Sequence, residues 1–255
     1  MNDSHILEAT YDYRLVALSV VIAIFAAYAA LDLAGMVTTS RNRARSAWLF
    51  GGAIAMGTGI WSMHYTGMLA YRIDVPVYYH VPTVILSLVA AIGASFVALF
   101  TASRERFTAL HLIAGSLLMG SGIATMHYTG MAAMRLSAMH HWDSAFVIAS
   151  VAVAIVVSAV ALIMTYMFRE DKPGIFLKIV CSVLMGLAIP AMHYTAMAAV
   201  TYMQMKEGPD LTNAVDISAL ANTAIISISV VLLGSVFVLR LWTSVPARLA
   251  TATRE

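Results

Sequence analysis

An all-α integral membrane fold of seven transmembrane helices follows from three features of this sequence. Of its 255 residues, 61% are hydrophobic and only 11% charged, whereas soluble domains run nearer half and a quarter. The apolar residues gather in seven stretches, each close to the roughly 20 residues that cross a bilayer. The charges lie almost wholly between those stretches, and they are sorted by sign. A soluble chain of this size could not hide so much apolar surface, so the lipid bilayer is part of its solvent. A net charge of +2 gives no reason to expect a nucleic-acid partner.

The stretches are residues 14–38, 47–71, 81–101, 109–134, 145–168, 175–203 and 217–239. Backbone polar groups must be paired in hydrocarbon, which leaves helices or barrel strands. Runs this long and continuous are helices. The first is too long for a signal-peptide core and lacks a basic flank, since residues 1–13 carry Asp3, Glu8 and Asp12 and no Lys or Arg. It is an uncleaved span. Within the seven, the one acid is Asp32, and the one base away from their ends is Lys178.

Alternate loops set the orientation. Arg41, Arg43, Arg45, Arg104, Arg106, Arg169, Lys172, Lys178, Arg240, Arg248 and Arg254 lie at one end of the helices; Arg14, Arg72, Arg135 and Lys206 lie at the other, with most of the acids. The positive-inside rule places the N-terminus in the periplasm and the C-terminus in the cytoplasm of a bacterial inner membrane. Arg41, Arg43 and Arg45 also suit contact with anionic lipid.

An internal repeat runs through the even helices. Residues 56–68 read Met-Gly-Thr-Gly-Ile-Trp-Ser-Met-His-Tyr-Thr-Gly-Met. Residues 119–131 read Met-Gly-Ser-Gly-Ile-Ala-Thr-Met-His-Tyr-Thr-Gly-Met. Residues 185–197 read Met-Gly-Leu-Ala-Ile-Pro-Ala-Met-His-Tyr-Thr-Ala-Met. The unit is a helix pair, present three times, with a seventh helix added. All the even helices run the same way, so His64, His127 and His193 stand at one depth, about 10–15 Å from the outer end by helix rise.

A histidine in hydrocarbon is costly and faces the bundle interior with a partner. Met68, Met131 and Met197, four residues on, share the histidine face; Met63, Met126 and Met192 flank it at about 100°. Imidazole with thioether is a copper-type ligand set, for one or two ions. Zinc is a poorer fit, because no carboxylate or thiolate recurs. Tyr65, Tyr128 and Tyr194 are candidates for supporting hydrogen bonds. Thr66, Thr129 and Thr195 are expected to bond back to their own helices. Gly57, Gly120 and Gly186 would let helices approach closely below the site.

These residues resemble the MHYT-domain family of bacterial membrane sensors. The likeness covers essentially the whole chain as one domain, residues 1–255, and includes Leu31-Asp32-Leu33-Ala34 in the first helix. The resemblance implies a sensory domain with copper held by Met63, His64, Met126, His127, Met192 and His193. It implies detection of oxygen, carbon monoxide or nitric oxide, passed to a cytoplasmic signalling domain or protein that handles cyclic di-GMP. The chain departs from the larger family members by ending soon after helix 7, as a stand-alone or excised sensor would. In the third repeat Ala196 replaces glycine, and Pro190 is expected to kink helix 6 and re-aim His193.

Other residues have simpler readings. Asp32 is an intramembrane acid expected to make a structural hydrogen bond, with a motif histidine as the other partner considered. Asn222 is a candidate to reach the motif layer from helix 7. His5, His80, His140 and His141 read as exposed loop residues, with His80 the best candidate for a metal entry path. Tyr78, Tyr79, Trp61 and Trp142 read as interfacial aromatics, His111 as incidental, and Cys181 as a packed thiol with no disulfide partner. No nucleophile–base pair, phosphate loop or paired carboxylates marks the spans as an enzyme. Copper transport and a haem held between two histidines are the competing functions.

Overall fold

In a computed structural model, residues 6–168, 174–205 and 207–227 are described, with positions 230, 231 and 234. The helices are α1 (Tyr13–Thr39), α2 (Asn42–Ala70), α3 (Val81–Ala102), α4 (Ala109–Ala132), α5 (Ser144–Phe168) and α6 (Ile175–Met197). The first turns of α7, Ile217–Ser227, follow. Apart from those three positions, the rest of the seventh span, to 239, lies outside the described residues, as do Arg169, Lys172, Lys206, Arg240, Arg248, Arg254 and His5.

Five of these helices, α1, α3, α4, α5 and α6, are long and apolar enough to cross a membrane. This is a multi-pass membrane protein. Helix α2 is longer than any of them, but 18 of its 29 residues are buried. It faces other helices rather than lipid, so glycine, serine and histidine replace the greasy residues a lipid-facing helix needs.

The helices close into a ring in chain order, with α6 packed back on α1. A recurring device fastens each even helix to an odd one. A Cβ added at Gly57 would stand 2.6 Å from the Cα of Ile92 in α3. One at Gly120 would stand 2.7 Å from the Cα of Ile155 in α5, and one at Gly186 2.5 Å from the Cα of Ile24 in α1. The expected close approach is present, and its partner in each case is an odd helix. The facing words are alike: Ser19-x-x-x-Ala23-Ile24, Ser87-x-x-x-Ala91-Ile92 and Ser150-x-x-x-Ala154-Ile155. Their alanines are fully buried.

Among the described residues, eight short strands cap the motif end. They form three antiparallel sheets, in the orders β1 (Ile6–Leu7), β7 (Val200–Gln204), β6 (Ala138–Trp142); β2 (Ala9–Tyr11), β3 (Tyr71–Ile73); and β5 (Met134–Arg135), β4 (Tyr78–His80), β8 (Ala214–Asp216). The expected spans to 71, 134 and 203 were therefore too long: those tails are strands. Each sheet joins the segment after one even helix to the segment before an odd one, as in Tyr11 opposite Tyr71 and Tyr79 opposite Met134.

The cap is packed with aromatics. Tyr79 and Tyr202 are wholly buried, and Trp61 is 5% exposed and donates to Ser87 Oγ at 3.1 Å. The interfacial reading of Trp61 and Tyr79 is thus corrected: Trp61 is buried between α2 and α3 beside Tyr65, and Tyr79 fills the space between Tyr65 and the cap. Burial pushes the hydroxyls of Tyr79 and Tyr202 up, so both stay protonated.

At the opposite end, Lys178 in α6 bonds Asp32 in α1 at 2.5 Å and lies 3.6 Å from the centre of the Tyr28 ring. Asp32 is therefore paired, but with a cation on the same α1–α6 seam and not with a motif histidine.

Gly57→Ala and Gly120→Ala should each lower stability by about 1–3 kcal/mol, because the added methyl meets backbone that cannot swing aside. Gly35→Ala, with nothing within 4 Å of its Cβ position, should be neutral or slightly stabilising. Thermal unfolding in detergent checks the contrast.

Candidate metal centre

His64, His127 and His193 meet on the axis of the ring. Their Nδ1 atoms form a triangle, with His64 to His193 at 3.1 Å, His64 to His127 at 3.2 Å and His127 to His193 at 3.3 Å. All three side chains are buried, and the rings stand nearly perpendicular to one another, at 78–84°. Because the helices end sooner than expected, the histidines lie only about 6–9 Å below the helix ends by rise per residue. Pro190 lies inside a continuous α6, and His193 keeps its place in the triangle. The expected re-aiming does not occur.

Such a triangle cannot satisfy itself. A ring nitrogen that carries hydrogen has no lone pair with which to accept. With one proton shared, two of the three contacts become N–H···N bonds, and the third still sets lone pair against lone pair. With none, all three contacts are repulsive. Three inward lone pairs are complementary to a cation. The point equidistant from corners about 3.2 Å apart lies about 1.8 Å from each, so a seat just off the plane meets imidazole–metal distances of about 2.0 Å. Among the described residues this is the one cluster of three or more His, Cys, Asp or Glu that could hold a metal ion.

The outer edges of the rings tell the same story. Each Nε2 is buried and without a hydrogen-bond partner among the described residues. If Nδ1 keeps its lone pair, Nε2 carries the proton of the neutral ring. A Cβ at Gly67 would come within 2.6 Å of His193 Nε2, and one at Gly130 closer still to His64 Nε2. Those glycines, three residues after a motif histidine, make room for the neighbouring ring.

The tyrosines hold the rings from the side. Each packs edge-on to its own histidine, with centroids 4.8–5.0 Å apart. Their hydroxyls do not reach the histidine nitrogens. They bond serines of the odd helices: Tyr65 to Ser87 at 3.2 Å, Tyr128 to Ser150 at 2.6 Å and Tyr194 to Ser19 at 3.0 Å. A residue next to His is turned about 100° from the axis, so its phenol points outward. Thr66 and Thr195 bond back to the carbonyls of Ser62 and Ala191, as expected.

All six motif methionines are buried. Met63 packs with Ile22 and Ala23 of α1 and with Ile189 and Ile225, to the side of the axis. Met68 and Met131 line clefts that open in the cap, of about 520 and 560 Å³. Met126, Met192 and Met197 belong to the main core. Asn222 is exposed, because Ala221 and Ala224 take the buried face of α7, so it does not reach the motif layer. His80 sits at the start of α3 and bonds Thr83 at 2.8 Å. His140 is half-buried, parallel to Trp142 and 5.0 Å from the Tyr202 ring, and burial lowers its basicity. It is not the exposed loop residue expected.

Compared with known families, the MHYT profile, described as a bacterial signalling protein N-terminal repeat, matches residues 4–47, 57–115, 120–177 and 186–253. The chain belongs to the MHYT family. Three of the matched MHYT segments begin within an even helix and run into the next odd one, and residues 4–47 hold α1. The chain is 43% identical over 197 residues to the bifunctional diguanylate cyclase/cyclic di-GMP phosphodiesterase MucR of Pseudomonas aeruginosa. It is 37% identical over 199 residues to the signalling protein YkoW of Bacillus subtilis, and 37% over 200 to the cyclic di-GMP phosphodiesterase NbdA of P. aeruginosa. Each alignment covers 77% of this MHYT chain but only 25–29% of the relative. No solved structure matches.

Tyr128→Phe and Ser150→Ala each break the 2.6 Å bond and should each cost about 1 kcal/mol. The double variant should cost about as much as one single if the hydroxyls serve each other. Unfolding midpoints of the three proteins measure this.

Proposed function

We propose that this MHYT chain is the sensor part of a signalling system: it holds one copper ion at His64, His127 and His193 and passes a redox or diatomic-gas signal to the cytoplasm. The observation that carries the reading is the triangle of Nδ1 atoms, which no arrangement of neutral imidazoles satisfies fully from within. The membrane fold and the MHYT match supply the setting, a signalling protein anchored in the bilayer. The names of the longer relatives support a cytoplasmic partner that makes or breaks cyclic di-GMP. The arginine-rich end would face that partner, and the strand cap would face the periplasm across an inner membrane.

Copper is favoured over zinc by charge. The triangle is neutral, and no carboxylate or thiolate joins it. The cost of burying an ion rises steeply with its charge, so a monovalent ion bound by neutral imidazoles is the cheapest metal state here. Buried methionines around the layer suit the same soft ion. A porphyrin between two histidines is disfavoured, since nitrogens in mutual contact leave no slot for a macrocycle. When bound, copper would supply one-electron redox chemistry and affinity for oxygen, carbon monoxide or nitric oxide. The residues would do the rest. The imidazoles fix the geometry, Gly67 and Gly130 admit their edges, and the cap sheets limit water. Each Tyr–Ser bond ties a ring to an odd helix, so a shift of the triangle presses on α1, α3 and α5 together.

Copper content of chelator-free membrane protein should approach one ion per chain and fall at least tenfold in each of His64→Ala, His127→Ala and His193→Ala. Unchanged copper in all three would defeat the proposal. Gly130→Ala removes no ligand, yet should weaken copper at least tenfold by pushing His64 off the axis; a competition titration reads the shift.

A further inference from the structure

Beneath the triangle the axis is not filled. A small void of about 20 Å³ lies among α1, α2, α4, α5 and α6. Its walls repeat like the histidines do: Met56, Met119 and Met185, the first residue of each motif word, with Ile60, Ile123 and Ile189, the fifth. The isoleucines are four residues before the histidines, so the void begins about one helical turn, or about 6 Å, below them. The remaining lining is alanine, valine and one serine, with no titratable group.

Size and chemistry select the occupant. Space of this measure holds about one water-sized body. A buried water needs two to four polar partners. Here the one hydroxyl is Ser158 Oγ, itself fully buried, on the wall of the void and without a hydrogen-bond partner among the described residues. Thioether sulfurs are weak acceptors but polarisable, and they favour contact with neutral, polarisable molecules. A cation is excluded by the same lining, since no charged or strongly polar group would offset its dehydration.

We propose that this void is a docking cavity for one small neutral molecule of diatomic size, seated one turn below the histidine triangle. Its purpose, though not its existence, rests on the sensing function proposed above. Apolar gases concentrate in lipid, and the cavity lies at bilayer depth between apolar helices. It would hold a gas molecule beside the metal centre on the hydrocarbon side, away from the watery cap clefts. Ser158 would offer such a guest its single hydroxyl.

Krypton tests the cavity directly, being neutral, polarisable and near diatomic size. Crystals of the full chain pressurised with krypton should show one anomalous peak among Met56, Met119 and Met185. Ala188→Val and Ala161→Val, on two different walls of the void, should each reduce its occupancy at least tenfold while the melting temperature holds or rises. His64→Ala should lose copper and keep the krypton, which separates this proposal from the metal assignment. An empty void under pressure, an ordered water bonded to Ser158 in its place, or equal krypton in both filled variants would overturn it.

Discussion

Three imidazole nitrogens held within 3.1–3.3 Å of one another, all on buried side chains, are the constraint around which this protein is arranged. Left to itself such a cluster would spread or bind a proton. It stays closed because the bundle allows no alternative. The rings of His64 and His193 are each trapped between their own tyrosine and a glycine of another motif helix, and His127 packs edge-on to Tyr128. The strand cap then ties the segments above.

Closure of that kind demands rigid fastening of the helices, and the chain achieves it with two small contacts used three times. A glycine lets even and odd backbones touch. Two turns further toward the cap, a tyrosine–serine bond crosses the same seam. In a membrane, where lipid is as apolar as leucine, close backbone packing and interhelical hydrogen bonds are what hold helices together. The pairing also explains why α2 carries so little grease: its surface is spent on neighbours.

The central cluster was legible because an identical four-residue word on three parallel helices can only stand at one depth. The helical spans were legible from composition and length. The cap was not. Its strands are two to five residues long and owe their existence to partners far off in the chain, as Ile6 opposite Met203 shows; no local pattern announces them. Trp61 and Tyr79 misled because an aromatic near a helix end looks the same whether it faces lipid headgroups or a protein cap. The serine partners could have been found: Ser-x-x-x-Ala-Ile occurs at the same place in three odd helices, yet each copy passes for an ordinary apolar run with one small polar residue. Asp32 and Lys178 were each visible as misfits in hydrocarbon, but only the α1–α6 seam shows that they answer each other.

That seam carries a topological meaning. Helix α6 takes its serine and isoleucine partners from α1, the first helix of the chain, and not from α7, which follows it. A closed circle has no natural first member. With α7 set aside, the two ends of the ring meet in the cap, where Ile6 stands opposite Met203, so a six-helix ring joined there and opened between α1 and α2 would keep every seam.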